Sequence, residues 1–236
     1  MAAPILIPPG GGEVIGDAPD RRVEILSDDD AVHATASRFA AGRAGAALHI
    51  HRRHTDLFYV LEGELRVMLG PDGDEARVPA GAVARIPPLV AHGFRNGSDA
   101  DVRYLNFHAP GVAFADYLRA MRDGRALSYD QEDPPPDGGR PISEAVIGAP
   151  ADGVDDAVVH ADVEAIRITE RTGEVPPACA DGVVSLYVLD GEVVLTADGA
   201  EHRAGAGTWA QVQPGTEHAV SALGAARMLL VQTPAP

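Results

Sequence analysis

Apolar residues recur along this chain in short runs, some alternating with polar positions and some continuous, and clusters of Gly, Pro, Asp and Asn punctuate them. In the first half this pattern predicts strands at Ala47–His51, Leu57–Leu61, Glu64–Leu69, Ala84–Ile86, His92–Arg95 and Val102–Phe107. In the second half it predicts strands at Asp162–Ile168, Val183–Leu189, Glu192–Thr196, Thr208–Val212 and Arg227–Val231. Glu62-Gly63 and Asp190-Gly191 sit between apolar runs and read as hairpin turns. One segment breaks the rule. Phe114, Tyr117, Leu118 and Met121 fall at i, i+3, i+4 and i+7, which predicts an amphipathic helix over 112–122.

The pattern also repeats. YVLEGE at 59–64 returns as YVLDGE at 187–192, an offset of 128. IPPLVAH ending at His92 returns as VQPGTEH ending at His218, an offset of 126. The difference is one hairpin shortened by two residues, since Gly63 to Gly81 spans 18 positions and Gly191 to Gly207 spans 16. Two similar all-β units in tandem follow. The expected division is an N-terminal arm over 1–20, a first barrel over 21–111, a helix and linker over 112–145, and a second barrel over 146–236. The Pro-, Asp- and Gly-rich stretch YDQEDPPPDGGRP, 129–141, reads as the linker proper.

Composition narrows the class. The chain of 236 residues carries 26 Gly and 19 Pro, which suits many turns and many short strands. Its formal charge of −16 speaks against nucleic acid and anionic membrane surfaces as partners. A single cysteine, Cys179, rules out an internal disulfide and suits a reducing cytoplasm. The start MAAPILIPPGGG has neither the basic opening nor the apolar run of a signal peptide, and no apolar run is long enough to span a bilayer.

The chemistry lies in the first unit. His49 and His51 are two apart in an expected strand, so their imidazoles share a face. Asp56 opens the next strand and His92 opens a later one. Three imidazoles and a carboxylate brought together inside an apolar barrel would be costly without a cation. That donor set suits one divalent transition metal ion, Fe, Mn, Ni, Cu or Zn. Phe58 and Val60 share the face of Asp56, and Phe94 that of His92, which makes them candidate walls of a substrate pocket.

HIHRRHTDLFYVLEG, 49–63, resembles the first motif of the cupin superfamily: His-x-His, four residues, an acid, six residues and Gly. GAVARIPPLVAHGFRN, 81–96, is similar to the second, with Gly81, Pro87, His92 and Asn96 at the family spacing. The resemblance implies two tandem double-stranded β-helix barrels, a bicupin. It also implies His49, His51, Asp56 and His92 as ligands of a central metal. Two positions depart from the motifs: Asp56 replaces the usual Glu, and Leu89 the usual Gly. In the second unit the ligand positions read Pro177, Cys179, Val184 and His218, a degenerate set.

Small two-barrel cupins of this kind are grouped with quercetin dioxygenase-like proteins. The resemblance thus implies an oxidoreductase that chelates a small enolisable or aromatic substrate, with Asp56 taking its proton. Non-oxidative isomerase, lyase or hydrolase chemistry and ligand binding without turnover remain alternatives, because one fold hosts many functions. Fused barrels can imitate a dimer, and free sheet edges leave homodimerisation open.

Overall fold

The computed structural model of the protein describes residues 3–148 and 157–235. Of the second barrel expected over 146–236, residues 149–156 lie outside the described residues, and Val146–Gly148 belongs to the N-terminal unit. The chain divides into an N-terminal unit, Glu13–Ala149, and a C-terminal unit made of Met1–Gly12 with Pro150–Pro236. Strand β1 (Ile5–Ile7) precedes the N-terminal unit. That unit contains β2 (Glu13–Ala18), β3 (Arg21–Asp28), β4 (His33–Phe39), β5 (Thr55–Glu62), β6 (Glu64–Leu69) and β7 (Asp74–Pro79). It continues with β8 (Val83–Ile86), β9 (His92–Arg95), β10 (Val102–Ala109), helix α1 (Phe114–Arg122) and β11 (Val146–Gly148). The C-terminal unit contains β12 (Ala157–Val163), β13 (Ile166–Thr172), β14 (Val175–Cys179), β15 (Val184–Asp190) and β16 (Glu192–Ala197). It ends with β17 (Ala200–Gly205), β18 (Trp209–Val212), β19 (Glu217–Ala222) and β20 (Arg227–Gln232).

Each unit is a sandwich of one large and one small antiparallel sheet. The N-terminal unit stacks the order β11-β8-β5-β10-β4-β3-β2 on β7-β6-β9. The C-terminal unit stacks β1-β18-β15-β20-β13-β12 on β14-β19-β16-β17. In both, a short strand from outside the repeat covers the edge: β11 on β8, and β1 on β18. Covering the edge removes a row of unpaired backbone groups. Both hairpin turns place a glycine in the left-handed region, Gly63 at φ 78° and Gly191 at φ 77°. A Cβ at either would press against a carbonyl, of Asp101 at 2.5 Å or of Ala225 at 2.3 Å.

The core of the N-terminal unit lies between its sheets and contains Phe58, Val60, Leu65, Val67, Ile86 and Tyr104. Helix α1 packs Ala115 and Leu118 on Ile15 of β2 and Ile25 of β3. Its other anchors are ionic: Arg119 reaches Glu13 at 2.7 Å and Asp28 at 2.6 Å, and Arg122 reaches Glu13 at 2.8 Å. Among the described residues no helix is long and apolar enough to cross a membrane.

Several local expectations change. The run Asp162–Ile168 is not one strand, because a turn at Glu164-Ala165 folds it into β12 and β13. Ala47–His51 makes single bridges, His49 to His92 and Ile50 to Glu132, in place of a ladder. The stretch 129–141 is held on the N-terminal unit: Val90 bridges Gly139, and Asp130 is buried. The arm expected over 1–20 divides, with Glu13–Ala18 forming β2 beside β3.

Candidate metal centre

The site forms where β5, β9 and the 47–51 segment meet. Leu89, in the turn before β9, adopts φ 69°, the left-handed conformation that the motif glycine takes without strain. The turn is retained because its Leu89 N–H donates to the His51 carbonyl at 2.7 Å and its carbonyl accepts from the Arg140 N–H at 2.8 Å. His49 and His92 face each other across a bridge, and each N–H donates to the other's carbonyl, at 2.8 and 2.9 Å.

His49, His51, Asp56 and His92 are buried, and one ligand atom from each lies within 4.8 Å of the others. The three rings are oriented from behind. Nδ1–H of His49 donates to the Ala47 carbonyl at 2.7 Å, that of His92 to the Val90 carbonyl at 2.9 Å, and that of His51 to the Asp130 carbonyl. A neutral imidazole carries one N–H, so all three Nε2 atoms point inward bare. Nε2 of His49 and of His51 stand 3.1 Å apart, two lone pairs with no proton between them. Asp56 Oδ2 lies 3.3 Å from His92 Nε2 and 3.8 Å from His51 Nε2. Ligands about 2.1 Å from one ion sit roughly 3.0–3.4 Å from each other, so the donor set fits a single transition metal. The shorter acid, Asp in place of Glu, still reaches the cluster.

The other oxygen of Asp56 faces elsewhere. Oδ1 accepts from Asn106 Nδ2 and lies 3.5 Å from His108 Nε2. Asn106 Nδ2 also donates to the Leu57 carbonyl at 3.0 Å, which fixes its amide and turns Oδ1 toward His108 Nε2 at 3.1 Å. Beyond His108 the Tyr129 hydroxyl joins His108 Nδ1 at 2.6 Å to His54 Nε2 at 3.0 Å. His54 Nδ1 meets the Asp130 carboxylate at 2.9 Å, and Asp130 also accepts the N–H groups of Arg52 and Arg53 at 3.1 and 2.8 Å. A continuous hydrogen-bonded chain therefore runs from Asp56 to Asp130.

Electrostatics follow burial. Burial, then His92 and His51, pull His49 down to about 3. Burial opposes ionisation of Asp56, but His108, His51 and His92 outweigh it and hold the carboxyl well below its usual range. Burial, then His51, lowers His54 to about 4, and burial lowers His108 well below the ordinary histidine value. At neutral pH both are thus uncharged, and two neutral imidazoles leave the chain one proton short of filling every contact.

Above the cluster lies a cavity of about 280 Å³. Phe94 lines it, whereas Phe58 and Val60 are fully buried in the core beneath. The helical stripe Phe114, Tyr117, Leu118 and Met121 forms one wall. His54, in the loop before β5, is 1% exposed, and Cys179 is exposed. Sequence reasoning missed Asn106, His108, Tyr129 and Asp130. A signal existed for two of them: Asn106 and His108 break the apolar inner face of β10, and Asn is disfavoured inside strands. Tyr129 and Asp130 sit in an irregular stretch with no periodicity to mark them.

Comparison with known proteins places the fold. The structure resembles YlbA from E. coli, with a TM-score of 0.72 and 12% identity over 98% of this chain and 90% of that one. It also resembles AerE from Microcystis aeruginosa, with a TM-score of 0.68 and 14% identity over 94% and 96%. Oxalate decarboxylase from Bacillus subtilis gives a TM-score of 0.66 and 15% identity over 97% and 76%. At such identities the likeness shows the fold alone. No curated protein matches the chain. The cupin-domain family matches residues 35–108 and 181–232, more than half of the sequence, and the chain belongs to that family.

Proposed function

We propose that the protein is a metal-dependent, dioxygenase-like oxidoreductase acting on a small aromatic or enolisable substrate. One observation carries this reading: three bare Nε2 atoms and the Asp56 carboxylate converge at the floor of an aromatic-walled cavity. His49, His51, His92 and Asp56 would hold one Fe, Mn, Ni, Cu or Zn ion. When bound, such an ion supplies Lewis acidity toward substrate oxygen atoms and, if redox-active, a site for O₂.

The chain's own residues handle position and protons. The two oxygens of Asp56 divide the work, Oδ2 toward the imidazoles and Oδ1 toward Asn106 and His108. A proton leaving a substrate hydroxyl or enol passes to Oδ1. With the His108 Nδ1–H donating to the Tyr129 hydroxyl, His108 takes that proton at Nε2 and releases its Nδ1 proton to Tyr129, whose own proton passes to His54 Nε2. Asp130 stabilises the imidazolium formed there. Phe94, Phe114 and Tyr117 flank a flat substrate, and α1 limits access of water. The same chain favours a second reading. Isomerase or lyase chemistry needs a proton moved and no oxidant, and the residues from Asp56 to Asp130 serve it equally.

The test is metal analysis of the purified protein and of His51→Ala, with O₂ uptake measured on a panel of catechols and enols. The expected result is about one equivalent of metal in the parent and a large loss in the variant. O₂ consumption with iron, nickel, copper or manganese selects the oxygenase. Zinc with turnover and no O₂ uptake selects the second reading. Tight ligand retention without turnover makes the protein a binder, and no metal uptake after loading overturns both enzymatic readings.

A further inference from the structure

We infer that the substrate carries an anionic group, a carboxylate, and that Arg21 anchors it at the end of the cavity remote from the histidines. The inference rests on the metal-centre reading for the other end of the molecule. The register of the large sheet sets the order of the residues that face the cavity. Asp56 pairs with His108, Asn106 with Phe58 and Thr35, Tyr104 with Val60 and Ser37, and Val102 with Phe39, which in turn pairs with Arg21. Alternate residues share a face, so these pairs form successive rows across the inner surface. Asp56 stands in the first row and Arg21 in the last. Both line the same cavity, and Asp56 is its only carboxylate among the described residues.

The Arg21 side chain leans along the sheet toward the row of Tyr104. It lies over Gly16 of β2, where an added Cβ would stand 3.1 Å from Nη2 and 3.7 Å from Nε. Gly16 pairs with Val23, in the row of Tyr104. The field of the guanidinium reaches the buried Tyr104 hydroxyl and offsets part of the burial that pushes this phenol up. Along the strands that row lies four residues, about 13 Å, from the row of Asp56, and β10, β4 and β3 stand between β2 and β5 across the sheet.

Charge accounting singles Arg21 out. The chain has 35 acidic residues against 19 basic ones, and nearby arginines are engaged. Arg22 pairs with Asp17 and Glu24, Arg43 with Asp20 at 3.3 Å, and Arg38 with Asp101 at 3.1 Å. Among the described residues, Arg21 alone of these four has neither an ion-pair partner nor a side-chain hydrogen bond. A partly buried guanidinium with five donors and no acceptor bears a desolvation cost that a ligand carboxylate would relieve through two parallel bonds. A ligand chelated at the histidines and ending in a carboxylate satisfies both ends of the cavity.

The test uses cobalt(II)-loaded protein and isothermal titration calorimetry. Probes are the monohydroxamates of succinic, adipic and suberic acids, each paired with a methyl-ended hydroxamate of equal length. The hydroxamate reports the metal end and the carboxylate the Arg21 end. At one chain length the carboxylate should tighten binding about tenfold or more over its methyl partner. Arg21→Met should abolish that advantage and leave the methyl-ended probe unchanged. Arg21→Lys should keep part of it. Absence of a carboxylate advantage at every length, or its persistence in Arg21→Met, overturns the anchor while the metal reading stands. Failure of both probe types to bind overturns the metal reading and the anchor with it.

Discussion

In the N-terminal unit, β5 carries Asp56 as its second residue, between Ile86 of β8 and His108 of β10. In the C-terminal unit, β15 opens with Val184, which lies between Val212 of β18 and Gln232 of β20. One row further, Phe58 faces Asn106 in the first unit, and Leu186 faces Leu230 in the second. The ladders are the same and the inward chemistry is not. Where Asp56, Asn106 and His108 stand around a cavity of about 280 Å³, Val184 and Leu230 join a continuous apolar core and leave about 10 Å³. His218, at the position matching His92, is buried beside that small space, with Ala178 opposite it on β14. A barrel of this register is stable with either filling. Polar residues inside it are therefore not demanded by the fold, and their concentration in one unit points to chemistry.

The largest effect is expected when the acid is moved into the C-terminal unit. Val184→Asp should destabilise the C-terminal unit by about 4 kcal/mol, because a buried carboxylate there meets Leu and Val in place of three imidazoles. Urea denaturation followed by Trp209, the chain's lone tryptophan, reads this unit directly. A cost below about 1 kcal/mol would show that the second interior is as tolerant of charge as the first.

Acid should act on the metal-free N-terminal unit. Its buried histidines 33, 49 and 54 are lowered to about 3, 3 and 4, chiefly by burial. Between those values and the unfolded value near 6.5, the unfolded chain binds more protons, so stability falls as pH falls. From pH 7 to pH 5.5 each contributes about 1 kcal/mol and the three together roughly 3 kcal/mol. Tyrosine near-UV circular dichroism under denaturant measures the loss. A flat profile across that window would mean that these rings are solvated or already charged.

Asp130→Asn probes the outer end of the hydrogen-bonded chain. The variant keeps the backbone carbonyl that orients His51 and weakens the carboxylate contacts to Arg52, Arg53 and His54. Metal affinity should fall about tenfold, the usual effect of disturbing the groups behind metal ligands. Competition with a chelator measures it, and unchanged affinity would sever the 129–132 segment from the centre.

The smallest effect belongs to the turn before β9. Leu89→Gly relieves a left-handed leucine and adds freedom to the unfolded chain, for a net gain of up to about 1 kcal/mol. Thermal melting of the two proteins side by side settles the sign.

Much of this architecture was legible in the residues themselves. The hairpins at Gly63 and Gly191, the strands from Glu64 to Leu69 and from His92 to Arg95, and the helix stripe all follow from local periodicity and turn chemistry. The spacing of His49, His51, Asp56 and His92 announced a shared site because strand alternation is local physics. Strands β2, β3 and β4 went unread, since β4 carries Thr35 and Ser37 on its inner face where an apolar pattern would mark a strand. The stretch at 129–141 was read as a linker because Pro and Gly forbid regular structure, yet irregular backbone can still be held firmly by bonds to distant residues.

Local order along the chain accounts for the repeat, the all-β character, the four candidate ligands and the loss of three of them in the second half. Each of these is written in neighbours along the chain, through side-chain period, turn propensity and residue identity. Folding in three dimensions sets which nitrogen of each histidine faces inward, links His54, His108, Tyr129 and Asp130 to Asp56, and brings Arg21 into one cavity with the histidines. Those facts depend on contacts between residues dozens of positions apart, and such contacts exist only after the sheets have closed.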